Sequence, residues 1–303
     1  MLEVLIQTPV TNFLLPITSL NIQKTRNFGA GYGTIEYPAY LLQDAGITMD
    51  FGYIATIYED KVPKFRGMVY DIDEDTRSSI KVQDSLIRFK NPTIMSYDNI
   101  SYSDFVRRTC AEVLVPYGTI EETSYEEPTL VLNEQEYFQG AKELYQATFR
   151  NTGQRFILRD NVGKIELINN LKLISNIALT EDTNILSIKK TSSIAECANE
   201  VFVVSKEGET SSITEIEQDL ELIAKWGLIR KIEEFPSLTV YKQPTQRITL
   251  EVIGSFNYDI GGIHYVEAPS RNMKGYFIIE EVTHSKNNEK FTSSITLADT
   301  VRF

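Results

Sequence analysis

The sequence has few of the residues that usually carry catalysis or cross-links. Its 303 residues include two cysteines, Cys110 and Cys197, and two histidines, His264 and His284. Two cysteines are too few for a disulfide scaffold, and they do not have the CxxC spacing. The histidines form no HExxH pattern, and neither a Walker loop nor a GxSxG elbow occurs. The sequence therefore predicts no catalytic residue, no metal site and no cofactor, and it assigns no role to either histidine.

Basic residues and long apolar runs are also scarce. Thirty Lys and Arg stand against 42 Asp and Glu, which gives a formal net charge of -12. Nucleic-acid binding needs a basic face, so specific nucleic-acid binding is not expected. No apolar run approaches the roughly 20 residues that cross a bilayer, and Glu3 stands where a signal peptide would carry a basic residue. We therefore expect a protein made in a cytosol, without membrane insertion.

The residues that are present indicate an α+β fold dominated by β-structure. Short segments rich in Tyr, Ile and Val fill the first 92 residues, as is typical of a meander of strands. Helical spacing follows, with Ser101 predicted as the N-cap of a first helix. Asn133 is predicted to cap a second helix that Gly153 ends, and Gly163 lies in the turn of the next hairpin.

The last part of the sequence is predicted to be β-structure with one interruption. Ser212–Trp226 is predicted to form a helix, with Ser212 and Glu215 as a capping box. Gly227 stands at the predicted C-terminal stop of this helix.

Two segments near the ends of the chain resemble each other. Residues 49–84 and 258–299 each have Asp, an apolar residue and Gly directly after their first residue, and both end with Ser-Ser-Ile and a later Asp. An apolar strand that begins at Gly67 or Gly275 lies between these ends. Either two hairpins of common composition agree by chance, or a β module is duplicated, and the ordered agreement favours duplication. The shared positions are Asp50, Gly52, Ile54, Ser79, Ile80 and Asp84 in the first copy, and Asp259, Gly261, Ile263, Ser294, Ile295 and Asp299 in the second.

Several strings occur in an order that is similar to one protein family. Phe65–Ile72 (FRGMVYDI) and Asn151–Leu167, which contains NTGQRFILRD and GKIEL, resemble a strand and a hairpin of the XkdQ/YqbQ-like baseplate hub proteins. These belong to contractile phage tails and tail-like bacteriocins. Trp226–Ile232 resembles a further string, although Tyr is more usual than Trp226. Ile248–Ile253 looks like a strand where the family is expected to have a helix. The resemblance spans nearly the whole chain.

The resemblance implies a structural protein and not an enzyme. It implies two similar tail-tube-like β-barrel modules, at residues 1–92 and 177–303, around a smaller domain of two helices and a hairpin at 93–176. A helical insertion is expected at about 206–237 within the second module. Such hubs are homotrimers that join a six-fold tail tube to a three-fold central spike. Three chains with two modules each present six modules in one ring, which would resolve the symmetry mismatch.

The resemblance also implies the partners and the location. The expected partners are further copies of the chain, the tail tube protein, the central spike protein, other baseplate proteins and the tape measure protein. The expected location is the baseplate of a virion or tail-like particle, after assembly in the bacterial cytoplasm. Two alternatives stay open, a tail-associated cell-wall hydrolase and a carbohydrate-binding tail module. Adjacent acids such as Glu121 and Glu122, and the 16 Tyr and 15 Phe, are compatible with these alternatives without favouring them.

Overall fold

The computed structural model describes residues 1–26, 28–73, 78–207, 210–233, 238–242, 244–287 and 290–300. Contacts between Cα atoms divide the chain into two units. The larger unit comprises Met1–Ile188 and Thr249–Phe303, and the smaller one comprises Lys189–Ile248. The predicted three-part division at residues 92 and 176 falls inside the larger unit and stays a prediction.

The first part of the larger unit is a strand meander, because β-branched and aromatic residues alternate with polar ones. In β3, for example, Leu20 and Ile22 are fully buried and Asn21 between them is exposed. The elements are β1 (Leu2–Gln7), β2 (Asn12–Leu15), β3 (Ser19–Thr25), β4 (Tyr32–Tyr37), α1 (Ala39–Asp44), β5 (Ile54–Glu59), β6 (Val62–Asp73), β7 (Ser78–Gln83) and a 3-10 helix (Ser85–Lys90).

The middle part packs two helices against short sheets around one apolar core. Phe105 of the first helix and Leu144 of the second are among the fully buried residues of this core. The elements are β8 (Pro92–Ser101), α2 (Tyr102–Glu112), β9 (Tyr117–Ile120), β10 (Glu126–Glu136), α3 (Tyr137–Thr152), β11 (Phe156–Asn161), β12 (Lys164–Asn169) and a 3-10 helix (Asn170–Leu173).

The two helices of this part differ in how well their starts were predicted. The Ser101 cap is confirmed, since its Oγ accepts a hydrogen bond from the Asp104 N–H at 3.1 Å. The predicted cap at Asn133 is wrong, because α3 begins at Tyr137 and its N-cap is Glu136. Asn133 instead lies in β10, opposite a residue of β8. Pairing with β8 continues to the end of β10, so the ladder of backbone hydrogen bonds replaces a local cap.

The smaller unit is a three-stranded sheet with two short helices, and it corrects a second prediction. Thr210–Gln218 is a strand and not the first part of a helix. The helix covers only Leu220–Trp226, and Asp219 caps it through a hydrogen bond from the Leu222 N–H at 3.1 Å. Thr and Ile are frequent in Thr210–Gln218, and their branched side chains favour a strand paired with a neighbour.

The strand Ile185–Ser193 leads into this unit from the larger one, and the strand Thr245–Ile253 leads back. The elements in chain order are β13 (Leu179–Thr180), β14 (Ile185–Ser193), β15 (Glu200–Glu207), β16 (Thr210–Gln218), α4 (Leu220–Trp226), β17 (Arg230–Glu233), α5 (Leu238–Tyr241), β18 (Thr245–Ile253), β19 (Ile263–Ala268), a 3-10 helix (Pro269–Arg271), β20 (Met273–Asn287) and β21 (Lys290–Thr300). The small sheet has the order β16-β15-β17.

The main sheet runs through both predicted modules. Its order is β14-β18-β21-β20-β3-β4-β7-β6-β5-β1-β2, with β19 beside β20 and β13 beside β19. This order has two ends, so the sheet is open within the described residues. The prediction of an α+β fold dominated by β-structure is confirmed, but two closed barrels are not found in the described part of one chain. The modules instead share an edge, since β3 of the first pairs with β20 of the second.

Candidate assembly site

The first repeat copy enters its strands through a turn with a characteristic set of hydrogen bonds. Asp50 Oδ1 accepts a hydrogen bond from the Phe51 N–H at 2.8 Å. The Gly52 N–H donates to the carbonyl of Val69 on β6 at 2.9 Å, and the Val69 N–H donates back to the carbonyl of Tyr53 at 2.8 Å. Gly52 has φ +81°, in the left-handed region that glycine occupies without a Cβ penalty.

The second repeat copy has the same hydrogen bonds at equivalent residues. Asp259 Oδ1 accepts from the Ile260 N–H at 2.9 Å. The Gly261 N–H donates to the carbonyl of Ile279 on β20 at 2.8 Å, and the Ile279 N–H donates back to the carbonyl of Gly262 at 2.9 Å. Gly261 has φ +76°. Val69 and Ile279 therefore occupy equivalent positions in the two copies.

The central strands of both copies also carry a bulge at the same place. Val69 pairs with Val82, and the next partners are Asp71 and Lys81, so one residue of β6 is extra. The same step occurs between β20 and β21. Its partners in the second copy are Ile279 with Leu297 and Glu281 with Thr296.

The Ser-Ser-Ile ends of the two copies lie in the third strand of each copy. Ser79 and Ile80 belong to β7, and Ser294 and Ile295 belong to β21. Both isoleucines are fully buried. Asp299 lies in β21, and its side chain is outside the described structure. Ile54 and Ile263 begin β5 and β19 in the two copies, and both pair with the central strand.

The two copies share a third string, which lies outside residues 49–84 and 258–299. β3 reads SLNIQKT and the start of β14 reads ILSIKKT, so both contain Leu-x-Ile-x-Lys-Thr. Leu20 and Ile22 of β3 are fully buried, whereas Leu186 of β14 is 56% exposed and Ile188 is half-buried. The likeness extends the repeat to residues 19–84 and 185–299. Residues 49–84 and 258–299 do not include this string. In the second copy the smaller unit separates it from the rest of the repeat, whereas only a short loop separates β3 from β4.

The edge between the modules is formed by β3 and β20. Their antiparallel register sets Thr25 opposite Glu281 and continues to the other end of β3. Asn21 Nδ2 donates to Ser285 Oγ across this edge at 2.9 Å. β20 therefore pairs with β21 and, through the same residues, with a strand of the other module.

An ion pair reinforces this edge from a predicted repeat residue. Lys24 Nζ lies 3.1 Å from Asp259 Oδ1, and the lysine side chain is 8% exposed. Arg159 of β11 lies 3.7 Å from the other carboxylate oxygen of Asp259 and pairs with Glu166 at 2.9 Å. Burial raises the pKa of Asp259, but the positive charges of Lys24 and Arg159 outweigh it and hold this pKa below its usual value. The carboxylate is thus ionised and joins β3, β11 and the turn before β19.

A second pair of buried carboxyl groups holds backbone turns. Asp84 accepts hydrogen bonds from the N–H groups of Gly31 at 2.8 Å and Leu86 at 3.1 Å. Asp160 accepts from the N–H of Gly163 at 2.7 Å. Burial and the neighbouring charge of Asp160 raise the pKa of Asp84, and burial raises the pKa of Asp160. These groups fix the loop before β4 and the turn between β11 and β12.

Both histidines are buried in the fold. His264 Nδ1 lies 3.1 Å from the carbonyl of Ile177, and burial lowers the pKa of His264. His284 Nδ1 lies 2.9 Å from Ser293 Oγ. Burial, with the charge of Lys24, lowers the pKa of His284 to about 3. Both rings are therefore neutral, packed side chains at neutral pH.

The other predicted turn and cap glycines are found in several places. Gly67 lies inside β6, Gly153 at the C-cap of α3, Gly163 in the turn between β11 and β12, and Gly227 at the C-cap of α4.

Among the described residues, no group of three or more His, Cys, Asp and Glu is placed to hold a metal ion. No helix in the described part of the chain is long and apolar enough to span a bilayer.

Several solved structures share this fold. The 43 kDa tail protein of prophage MuSo2 from Shewanella oneidensis has a TM-score of 0.72 at 12% identity, with 98% of each chain covered. A tail protein from Neisseria meningitidis MC58 has a TM-score of 0.69 at 10% identity, covering 98% of this chain and 96% of that one. The E. coli c3393 protein is a component of the type VI secretion system with structural similarity to the T4 tail proteins gp27 and gp5. It has a TM-score of 0.59 at 9% identity, covering 98% of this chain and 77% of that one.

The chain therefore shares its fold with these phage tail proteins and with this component of the type VI secretion system. The model of the YQBQ-like family matches residues 34–298. The chain belongs to the YQBQ-like family, as the sequence strings had indicated. No curated protein matches the sequence.

Proposed function

We propose that this protein is a structural hub in the baseplate of a contractile injection tail. In this role it is a homotrimer whose six β modules join a six-fold tail tube to a three-fold central spike. The single observation that carries the proposal is the duplication within one continuous sheet. Two modules with the same turns and the same bulge share an edge, which is the contact that a ring of modules needs.

Family membership and the tail-protein fold support a structural role in a tail. A ring built from edge-to-edge modules needs no closed barrel in one chain, since closure comes from neighbouring copies. In this proposal residues 1–92 and 177–303 supply the ring, and residues 93–176 reach the spike or other baseplate proteins. The tail tube, the spike and the tape measure are the proposed partners, and the location is the baseplate of a virion or tail-like particle.

The proposal is tested by the mass of the assembled protein. Light scattering after size exclusion, on the chain co-expressed with its tube and spike proteins, should give a species that contains three copies of the 34.5 kDa chain. A monomer in isolation is weak evidence against a trimer, because a partner that binds only the trimer shifts the equilibrium towards it. A chain that stays monomeric with both partners present contradicts the proposal.

The two alternatives give different results. A cell-wall hydrolase would release soluble fragments from peptidoglycan, and a carbohydrate-binding module would bind glycans without the rest of the tail. Two of the solved structures that share this fold are described as tail proteins. We therefore expect no peptidoglycan turnover and no glycan binding from the isolated chain.

A further inference from the structure

We infer that neighbouring copies of this chain join by pairing β14 of one copy with residues 71–73, at the end of β6, in the next. The register is the one that β3 and β20 adopt within a single chain. In this arrangement Lys190 of one copy forms an ion pair with Asp50 of its neighbour. The inference rests on the proposed trimer and specifies its interface.

The first observation is that β14 is a copy of β3 without the second partner. β3 has β4 on one side and β20 on the other, whereas β14 ends the sheet and pairs only with β18 among the described strands. The exposed side chains match this difference. Leu20 is 1% exposed, and its counterpart Leu186 is 56% exposed. An edge strand that exposes a large apolar side chain such as Leu186 has unpaired backbone groups at which another chain can pair.

The second observation is that β6 is a copy of β20 without the same partner. Residues 281–283 of β20 pair with β21 and also with β3. Their counterparts, residues 71–73 of β6, pair with β7 and have no second strand among those described. Each chain therefore has two unmatched halves of the module contact, one on β14 and one on residues 71–73 of β6, and a second copy supplies the missing partner of each.

The repeat fixes the register of this contact. Within the chain, Glu281 lies opposite Thr25, Val282 opposite Lys24 and Thr283 opposite Gln23. Replacing each residue by its counterpart in the other copy gives the register between chains. The expected opposite pairs are Asp71 with Thr191, Ile72 with Lys190 and Asp73 with Lys189.

The charges at the two edges are complementary. Lys24 and Asp259 form the ion pair within the chain, and their counterparts are Lys190 and Asp50. Both counterparts are exposed, and neither has an ion-pair partner in the described structure. Asp73 on β6 faces Lys189 on β14 in the expected register. Opposite charges at the same register favour a second copy of this chain over an unrelated strand.

A charge swap tests the ion pair. Asp50→Lys and Lys190→Asp should each weaken trimer formation with tube and spike proteins about tenfold, because each puts like charges together at every interface. The double variant should recover to within about threefold of the wild type. Asp44→Lys is the matched control, since Asp44 is also exposed but ends α1 and lies on neither β6 nor β14. It should leave the trimer unchanged, and a double variant no better than the single ones overturns the ion pair.

Cysteine cross-linking tests the register. Opposite residues of an antiparallel pair have Cβ atoms about 4.5–5.5 Å apart, close enough for oxidation to link them. Asp71→Cys with Thr191→Cys should give linked dimers and trimers on a non-reducing gel, while the natural Cys110 and Cys197 are buried. The control Ile72→Cys with Thr191→Cys keeps Lys190 and is shifted by one residue, so its two side chains face opposite sides of the sheet.

The outcomes separate this interface from the proposed function. A trimer by mass without the cross-link, or with equal linking in the shifted control, overturns the interface and leaves the hub proposal standing. A chain that forms no trimer with tube and spike proteins overturns both.

Discussion

Leu20 and Leu186 occupy the same position in two copies of one strand, so truncating each to alanine is a matched test of the repeat. Leu20 is 1% exposed and Leu186 is 56% exposed. Leu→Ala at a fully buried site costs about 2.7–5 kcal/mol in free energy of unfolding. Full burial of a leucine contributes roughly 1.5–3 kcal/mol, so the loss at Leu186 in a single chain is about 1 kcal/mol.

Urea unfolding followed by circular dichroism measures this difference. With an m-value of about 3 kcal/mol per molar urea, Leu20→Ala should lower the midpoint by about 1 M or more and Leu186→Ala by about 0.3 M. Trp226 lies in the unit Lys189–Ile248, so its fluorescence follows that unit separately.

Leu20→Ala should have the larger effect on the stability of the single chain, and Leu186→Ala should have the larger effect on assembly. A Leu186→Ala chain that folds almost as well as the wild type should still form less trimer with the tube and spike proteins, because its side chain is buried there. Equal losses of stability for the two variants, or full assembly by Leu186→Ala, would refute the equivalence of β3 and β14.

Two further predictions concern buried groups of the repeat. The pKa of His284 is about 3, against 6.5 for a free histidine, so the folded chain loses stability as pH falls from about 6.5 to about 3. His284→Gln should remove up to about 5 kcal/mol of that dependence in urea midpoints, and an unchanged pH slope contradicts the assignment. A Cβ on Gly261 would lie 2.4 Å from Ile157 Cδ1, whereas one on Gly52 meets no atom within 4 Å. Gly261→Ala should therefore destabilise the chain by about 1–3 kcal/mol more than Gly52→Ala, because of the extra strain. The difference is measured as a lower melting temperature for Gly261→Ala, and equal losses contradict the packing.

The sequence predicts the local signals of this fold well. Ser101 caps α2 as expected because its side chain and the N–H that it satisfies are three residues apart. Gly52 and Gly261 lie in equivalent turns, and the strands after them were predicted from their composition. These features depend on neighbours in the chain, which a sequence shows directly.

Features that depend on distant partners were missed. The N-cap predicted at Asn133 does not form because this residue pairs with β8, and Thr210–Gln218 is a strand because β15 lies beside it. Asp259 appeared in the sequence only as a turn residue, yet its partner Lys24 is 235 positions away. A comparison of β3 with β14 could have found that lysine, since Leu-x-Ile-x-Lys-Thr occurs in both.

The most direct test of the central claim is a cryo-EM map of the assembled particle at the layer that contains this chain. We expect three copies whose six β modules form one ring, with β14 of each copy beside β6 of the next. Six copies in that layer, or copies that contact neither the tube nor the spike, would contradict it.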